Sequence, residues 1–286
     1  MGTLSVESTF SAKARWILLG IKSRIFARPE LKIIREFPVF VPNSAGPVKD
    51  LSRLTVQAAD QTFPFLLDLL SRNGAPAKEP VSVESFADTE DKKAAAHQLQ
   101  LLFDKFRSDK STYHDYHLLY GSILSKPEAV TNVFEVGLGS NNRDVVSNMV
   151  ERGAQPGASL RAFREFLPRA QIYGADIDRR ILFQDERIST FFLDQTDPAS
   201  FDVLSPAIPA DCDLIIDDGL HSPNANIATL AFGLGKLKVG GWVVVEDIAP
   251  AALPLWQVIT ALLPEVYESH VVSAKGALLF AVRRSR

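Results

Sequence analysis

Two acidic pairs dominate the chemistry the chain could perform. Asp217-Asp218 closes the run CDLIIDDG at 212–219, and Glu246-Asp247 closes GWVVVEDI at 241–248. His221 follows three residues after Asp218. Asp218, Glu246 and Asp247, if brought together, repel one another unless a cation neutralises them. Oxygen ligands of this hardness select Mg2+, Mn2+ or Ca2+ over zinc. Capping of the following helices, or pairing with Arg and Lys, would satisfy the same carboxylates; their placement at strand ends is what favours a metal. Histidine as a residue type is suited to proton removal near neutrality, so His221 is a candidate base, with a simply packed histidine as the plain alternative.

Three earlier β-rich runs also end in polar groups. NVFEVGL leads from Glu135 into Gly137 and Gly139, QIYGADI ends in Asp176, and ISTFFLDQ ends in Asp194-Gln195. In an open parallel sheet, ligands bind beyond the carboxyl ends of the strands. A glycine turn there lets backbone approach a ligand closely, Asp176 is placed to accept from a ribose diol, and Asp194-Gln195 suits an adenine edge. EVGLG lacks the complete GxGxxG fingerprint, so taken alone it fits a cofactor turn or an ordinary strand-to-helix turn equally well. A nicotinamide site expects its ribose acid about 20 residues after the glycines; here the insert 141–156 delays Asp176. The Asp176-Ile-Asp178 triplet also fits the metal-binding DxD of sugar-nucleotide transferases. Tyr113, His114, His117 and Tyr120 fall at helical spacing, as a packing face or as a contribution to the site. Cys212 opens a strand and reads as a small core residue.

The elements that must position these groups alternate regularly after about Asn132. Several of the five strand runs are apolar on both faces, which suits parallel strands covered by helices. Helices are expected at 158–166 and 225–237, the second closed by Gly240 and Gly241, and near 255–263. YESHVVSA and ALLFAVRR then form a hairpin around Lys275-Gly276. Five β/α units ending in a hairpin match an α/β, Rossmann-like class I methyltransferase sheet of seven mostly parallel strands with the last strand antiparallel. The N-terminal third reads as mainly helical: 12–26, then 51–72 with Pro64 as a break, a surface connection at 73–80, and 85–102. This places an accessory region at 1–105 and a catalytic domain at 106–286.

Composition bounds the function. Hydrophobic residues are 46% and charged residues 23% of 286, the profile of a folded protein and not of a disordered, collagen-like or coiled-coil chain. A net charge of −3 gives no bulk attraction for nucleic acid. Residues 1–40 carry seven Lys/Arg and three Glu, so this basic segment is +4 and the remainder −7. One cysteine excludes an intrachain disulfide and any cysteine-cluster metal site and points to a reducing cytoplasm. The apolar run Trp16–Ile21 is too short for a bilayer span and has no cleavage site after it.

Together, SDKSTYH at 108–114 with Tyr120, FEVGLG, PGASLRAF at 156–163, IYGADI, DQTDP at 194–198, IIDDGLH at 215–221 and GGWVVVEDI resemble the metal-dependent sugar O-methyltransferases of macrolide biosynthesis, the mycinamicin type. The resemblance covers about 106–248. It implies S-adenosylmethionine along the first strand ends, with Lys110, His114, Glu135, Gly137, Gly139, Ser159, Asp176, Asp194, Gln195 and Asp217 as cofactor residues. It implies Mg2+ (or Mn2+) on Asp218, Glu246 and Asp247, and His221 as general base. The expected reaction is methyl transfer to a hydroxyl of a sugar, glycoside or polysaccharide by a cytoplasmic homo-oligomer. Two rival readings are a metal-dependent glycosyl or nucleotidyl transferase and a non-catalytic assembly or membrane-docking module using the basic segment.

Overall fold

The computed structural model describes residues 29–150 and 155–286. The helix expected at 12–26, the run Trp16–Ile21 and most of the basic segment lie outside the described residues. The chain divides into two compact units, Met1–Pro76 and Ala77–Arg286. In the first, α1 (Pro29–Glu36) and α2 (Val48–Arg72) are helical. The helix α2 runs through Pro64 instead of breaking there: one missing N–H bond is tolerated because the turns on both sides keep their own ladder.

The second compact unit begins at Ala77. Its first helix, α3 (Glu90–Phe106), is capped by Thr89, whose side chain accepts from the Lys92 N–H. Leu99, Leu102 and Phe103 of α3 are buried with Leu119 and Tyr120 of α4 (His117–Ile123) and with Leu160 and Phe163 of α5 (Ala158–Phe166). Apolar burial of this kind holds α3 to the sheet.

The sheet has nine strands rather than seven. In chain order they are β1 (Val81–Ser82), β2 (Asn132–Val136), β3 (Gln171–Asp176), β4 (Gln184–Asp185), β5 (Ile188–Phe192), β6 (Cys212–Asp217), β7 (Leu237–Ile248), β8 (Tyr267–Ala274) and β9 (Ala277–Arg284). Their spatial order is β1-β8-β9-β7-β6-β2-β3-β5-β4. The seven long strands stand in the expected arrangement, and β9 lies antiparallel between β7 and β8. The two extra strands are two-residue pieces that pair the outer edges, Val81 with Val272 and Gln184 with Ser189. Pairs this short carry no periodic pattern, yet they cover edge groups that would otherwise stay open.

Side-chain alternation splits the core into two layers. Val133, Leu214, Ile216 and Val244 face α3, α4 and α5. Phe134, Ile215, Val243 and Val245 face α6 (Pro198–Leu204), α7 (Pro223–Leu234) and α8 (Leu253–Leu262) through Phe201, Leu230 and Trp256. Cys212 is buried in this layer, and burial pushes its thiol up to about 12. Gly240 and Gly241 do not close α7, which ends at Leu234. They lie within β7 where its register on β6 shifts, and a Cβ at Gly241 would stand 2.6 Å from the Cys212 carbonyl oxygen.

The close crossing of α3 and α4 depends on Gly121, where a Cβ would fall 2.4 Å from Ala96 Cα. Gly121→Val should therefore destabilise the protein by about 3 kcal/mol in urea denaturation. At Gly235, the C-cap of α7 with φ −74° and ψ −12° and only the Phe232 carbonyl near, Gly→Ala should change stability by less than about 1 kcal/mol.

Candidate active site

The turn after β2 begins the site. Gly137 (φ +93°) takes left-handed backbone, and a Cβ there would lie 1.9 Å from the Asp218 carbonyl oxygen. Only glycine therefore lets the ends of β2 and β6 meet. Gly139 (φ +78°) repeats the conformation two residues on. Asp176 accepts from the Leu138 and Asp178 N–H groups, both at 2.8 Å, so it shapes this turn as well as lining the cleft beside it. Asp178, almost fully buried, accepts from Arg180 Nε at 2.6 Å, Ser140 Oγ at 2.6 Å and Asn142 Nδ2 at 2.7 Å. The Arg180 guanidinium and these donors hold its carboxyl well below the usual range.

Three adjoining cavities open at the carboxyl ends of the strands. One of about 440 Å³ is bordered by Gly137, Asp176, Ile177, Asp194 and Leu220. A second, about 220 Å³, shares Gly137 and Asp176 and reaches Asp218, His221 and Asp247. A third, about 520 Å³, is bordered by Lys110, Gly139, Ser159 and Asp218. Gly137 borders all three.

Lys110 is buried and its ammonium stands among three carboxylates: Glu246 Oε2 at 2.5 Å, Asp218 Oδ2 at 2.7 Å and Glu135 Oε1 at 3.1 Å. Burial draws the Lys110 pKa down, but these carboxylates hold it well above its ordinary value. Burial pushes Glu246 far up against the opposing pull of Lys110. Glu246 also accepts from the Tyr120 hydroxyl. Asp247, only partly buried, is also pushed up by burial, yet the Tyr116 hydroxyl at 2.5 Å and the neighbouring His221 bring it below the usual carboxylate value.

The expected carboxylate trio is thus divided. Glu246 turns inward to Lys110 and Tyr120. Asp218 and Asp247 turn toward His221, whose Nε2 lies 3.7 Å from Asp218 Oδ1 and 3.8 Å from Asp247 Oδ2. One donor atom from each of Asp218, His221 and Asp247 falls within 4.8 Å of the others. The two carboxylates are oxygen donors of the kind that fit Mg2+ or Mn2+, and the His221 imidazole stands beside them. His221 (φ +55°) and Asp247 (φ +53°) both adopt left-handed backbone, a strain of roughly 1–2 kcal/mol each that the surrounding structure must sustain.

Several residues expected at the cofactor are engaged by neighbouring protein groups. Gln195 donates to Asp217 Oδ1 at 2.7 Å and Thr229 Oγ1 at 2.8 Å while accepting from the Leu220 N–H at 2.8 Å. Both ends of its amide are thus engaged, and it braces the β6 loop from the wall of the cleft. Asp217 is fully buried beneath the cavities, accepts from Gln195 and Asn226, and is pushed by burial up to about 6. Glu135 lies behind the turn, accepting from Ser159 Oγ at 2.6 Å. Asp194 accepts from the Thr196 N–H and hydroxyl at the cleft rim. His114 stacks on Tyr116 with ring centroids 4.9 Å apart, on the Asp247 side of the site. Tyr116 is the residue that motif reading passed over; its four-residue spacing from Tyr120 is the signal that could have found it.

Strand order, glycine turn and acidic strand ends together define a methyltransferase-type α/β fold. The MycE methyltransferase of the mycinamycin biosynthetic pathway, solved with Mg, SAH and mycinamycin VI, superposes with a TM-score of 0.53 at 23% identity, over 66% of this chain and 54% of that one. In sequence the chain is similar to two sugar O-methyltransferases. The 8-demethyl-8-alpha-L-rhamnosyl tetracenomycin-C 2'-O-methyltransferase of Streptomyces olivaceus is 32% identical over 152 residues, 52% of this chain and 37% of that protein. The mycinamicin VI 2''-O-methyltransferase of Micromonospora griseorubida is 37% identical over 99 residues, 34% of this chain and 24% of that protein. The chain thus spans less than two fifths of the length of these relatives. No protein-family profile matches it.

Removing the buried ammonium leaves three carboxylates without their counter-charge. Lys110→Met should cost about 3–5 kcal/mol of stability in denaturant unfolding.

Proposed function

We propose that the protein transfers a methyl group from S-adenosylmethionine to a hydroxyl of a sugar or glycoside, with a divalent cation at the acidic cluster. The observation that carries this reading is the convergence of Asp218, His221 and Asp247 on a cavity that adjoins the glycine-turn cleft. Likeness to sugar O-methyltransferases supports the reaction class.

In this reading Gly137, Gly139, Asp176 and Asp194 receive the cofactor, while Glu135, Ser159, Gln195 and Asp217 brace the backbone that holds it. Asp218 and Asp247 hold the cation, backed by Glu246 on Lys110. When bound, the cofactor supplies the sulfonium methyl and the cation lowers the pKa of the acceptor hydroxyl. The chain's own work is to orient the hydroxyl in line with the methyl and to receive its proton at the imidazole of His221, which lines the cavity shared with Asp218 and Asp247. No covalent enzyme intermediate is needed.

S-adenosylhomocysteine at a hundred times its Kd should add about 2.7 kcal/mol of stability, and thus raise Tm by roughly 5–10 °C. No shift would overturn the reading, and a shift with a sugar nucleotide instead would turn the assignment to a glycosyl or nucleotidyl transferase. His221→Ala should retain that shift and lose turnover by about 100-fold or more. If the same variant also loses its cation, His221 is a ligand rather than the base. Full turnover in excess chelator removes the cation from the mechanism.

A further inference from the structure

The two oxygens of Asp247 face different neighbours. Oδ1 accepts from the Tyr116 hydroxyl at 2.5 Å, and Oδ2 lies 3.8 Å from His221 Nε2. Tyr116 is only 1% exposed, and its ring lies nearly parallel to that of His114, at an interplanar angle of 19°. A phenol has a single proton to donate, and a ring this enclosed has little freedom to aim it elsewhere. The Asp247 backbone is itself in the left-handed region, so the carboxylate is directed from both ends: by the strand terminus that carries it and by the tyrosine that receives it.

We infer that Tyr116 is a positioning residue for the proposed reaction: by engaging Asp247 Oδ1 it presents Oδ2 toward His221 and Asp218, where the cation is to be held. Without the phenol, the carboxylate can rotate about its last bond and offer either oxygen or neither. Outer groups that orient a metal-binding carboxylate typically contribute about 10–100-fold to metal affinity. This inference rests on the reading that the acidic cluster binds a divalent cation.

Mn2+ affinity of the full chain, measured by electron paramagnetic resonance, tests it in the wild type, Tyr116→Phe, Asp247→Asn and the double variant. Tyr116→Phe keeps the ring and should weaken Mn2+ binding about ten-fold or more, while affinity for S-adenosylhomocysteine without metal stays unchanged. The double variant should bind Mn2+ no more weakly than Asp247→Asn alone, because the tyrosine acts through that carboxylate. Wild-type Mn2+ affinity in Tyr116→Phe, or a loss that adds in full to that of Asp247→Asn, overturns the inference alone. A wild-type chain that binds S-adenosylhomocysteine but no Mn2+ overturns the cation reading with it. Should Tyr116→Phe fail to fold, Mg2+ titration of the wild type must perturb the near-ultraviolet tyrosine spectrum; an unchanged spectrum counts against the role.

Discussion

Lys110 carries its ammonium into a space bounded by carboxylates from three neighbouring strands: Glu135 on β2, Asp218 after β6 and Glu246 on β7. Two carboxylates about 5 Å apart repel by about 3 kcal/mol at an effective dielectric near 20, and this site gathers several. The ammonium makes that gathering tolerable. It also sorts the acids: Glu246, engaged by Lys110 and Tyr120, belongs to the interior, while Asp247 is left to face His221. Pairing with Lys110 and facing the His221 cavity are thereby distributed over different oxygens of one cluster.

The segment that delivers Lys110 is tied to the far end of the chain. The Lys275 ammonium in the β8–β9 turn donates to the Thr112 carbonyl at 3.0 Å, and the Lys275 carbonyl stands 3.3 Å from His114 Nδ1. On the other side, Asp104 of α3 accepts from the Ser111 and Thr112 hydroxyls. The terminal hairpin therefore does more than complete the sheet: its tip and the α3 helix hold the 108–116 loop between them. Tyr116 and Tyr120 then approach Asp247 and Glu246 from a base that close packing at Gly121 and Ala96 keeps fixed.

Much of this architecture was legible in the residue pattern. The apolar runs at 132–138, 171–177 and 212–219, the helix at 158–166 and the hairpin at Lys275-Gly276 follow from periodicity and turn chemistry, which act over a few residues. The departures from that pattern are also local in kind. Gly240-Gly241 reads as a helix stop, but its close approach to Cys212 places it inside a strand, and Pro64 reads as a break in a helix that absorbs it. Two-residue edge strands have no signature at all, since they form only where another strand offers an open edge.

Site chemistry divides along the same line. Sequence alone determined that acidic groups stand at successive strand ends and that a glycine turn precedes them, because residue type and strand polarity suffice for both. Tertiary structure decided which oxygen meets which partner. Lys110 is 108 residues from Asp218 and 136 from Glu246, and Tyr116 is 131 from Asp247. No spacing rule reaches across such distances. Only the stacking of β2, β6 and β7 side by side, with the 108–120 segment laid across their ends, brings one ammonium and two phenols to four carboxylates and leaves Asp218, His221 and Asp247 facing a common cavity.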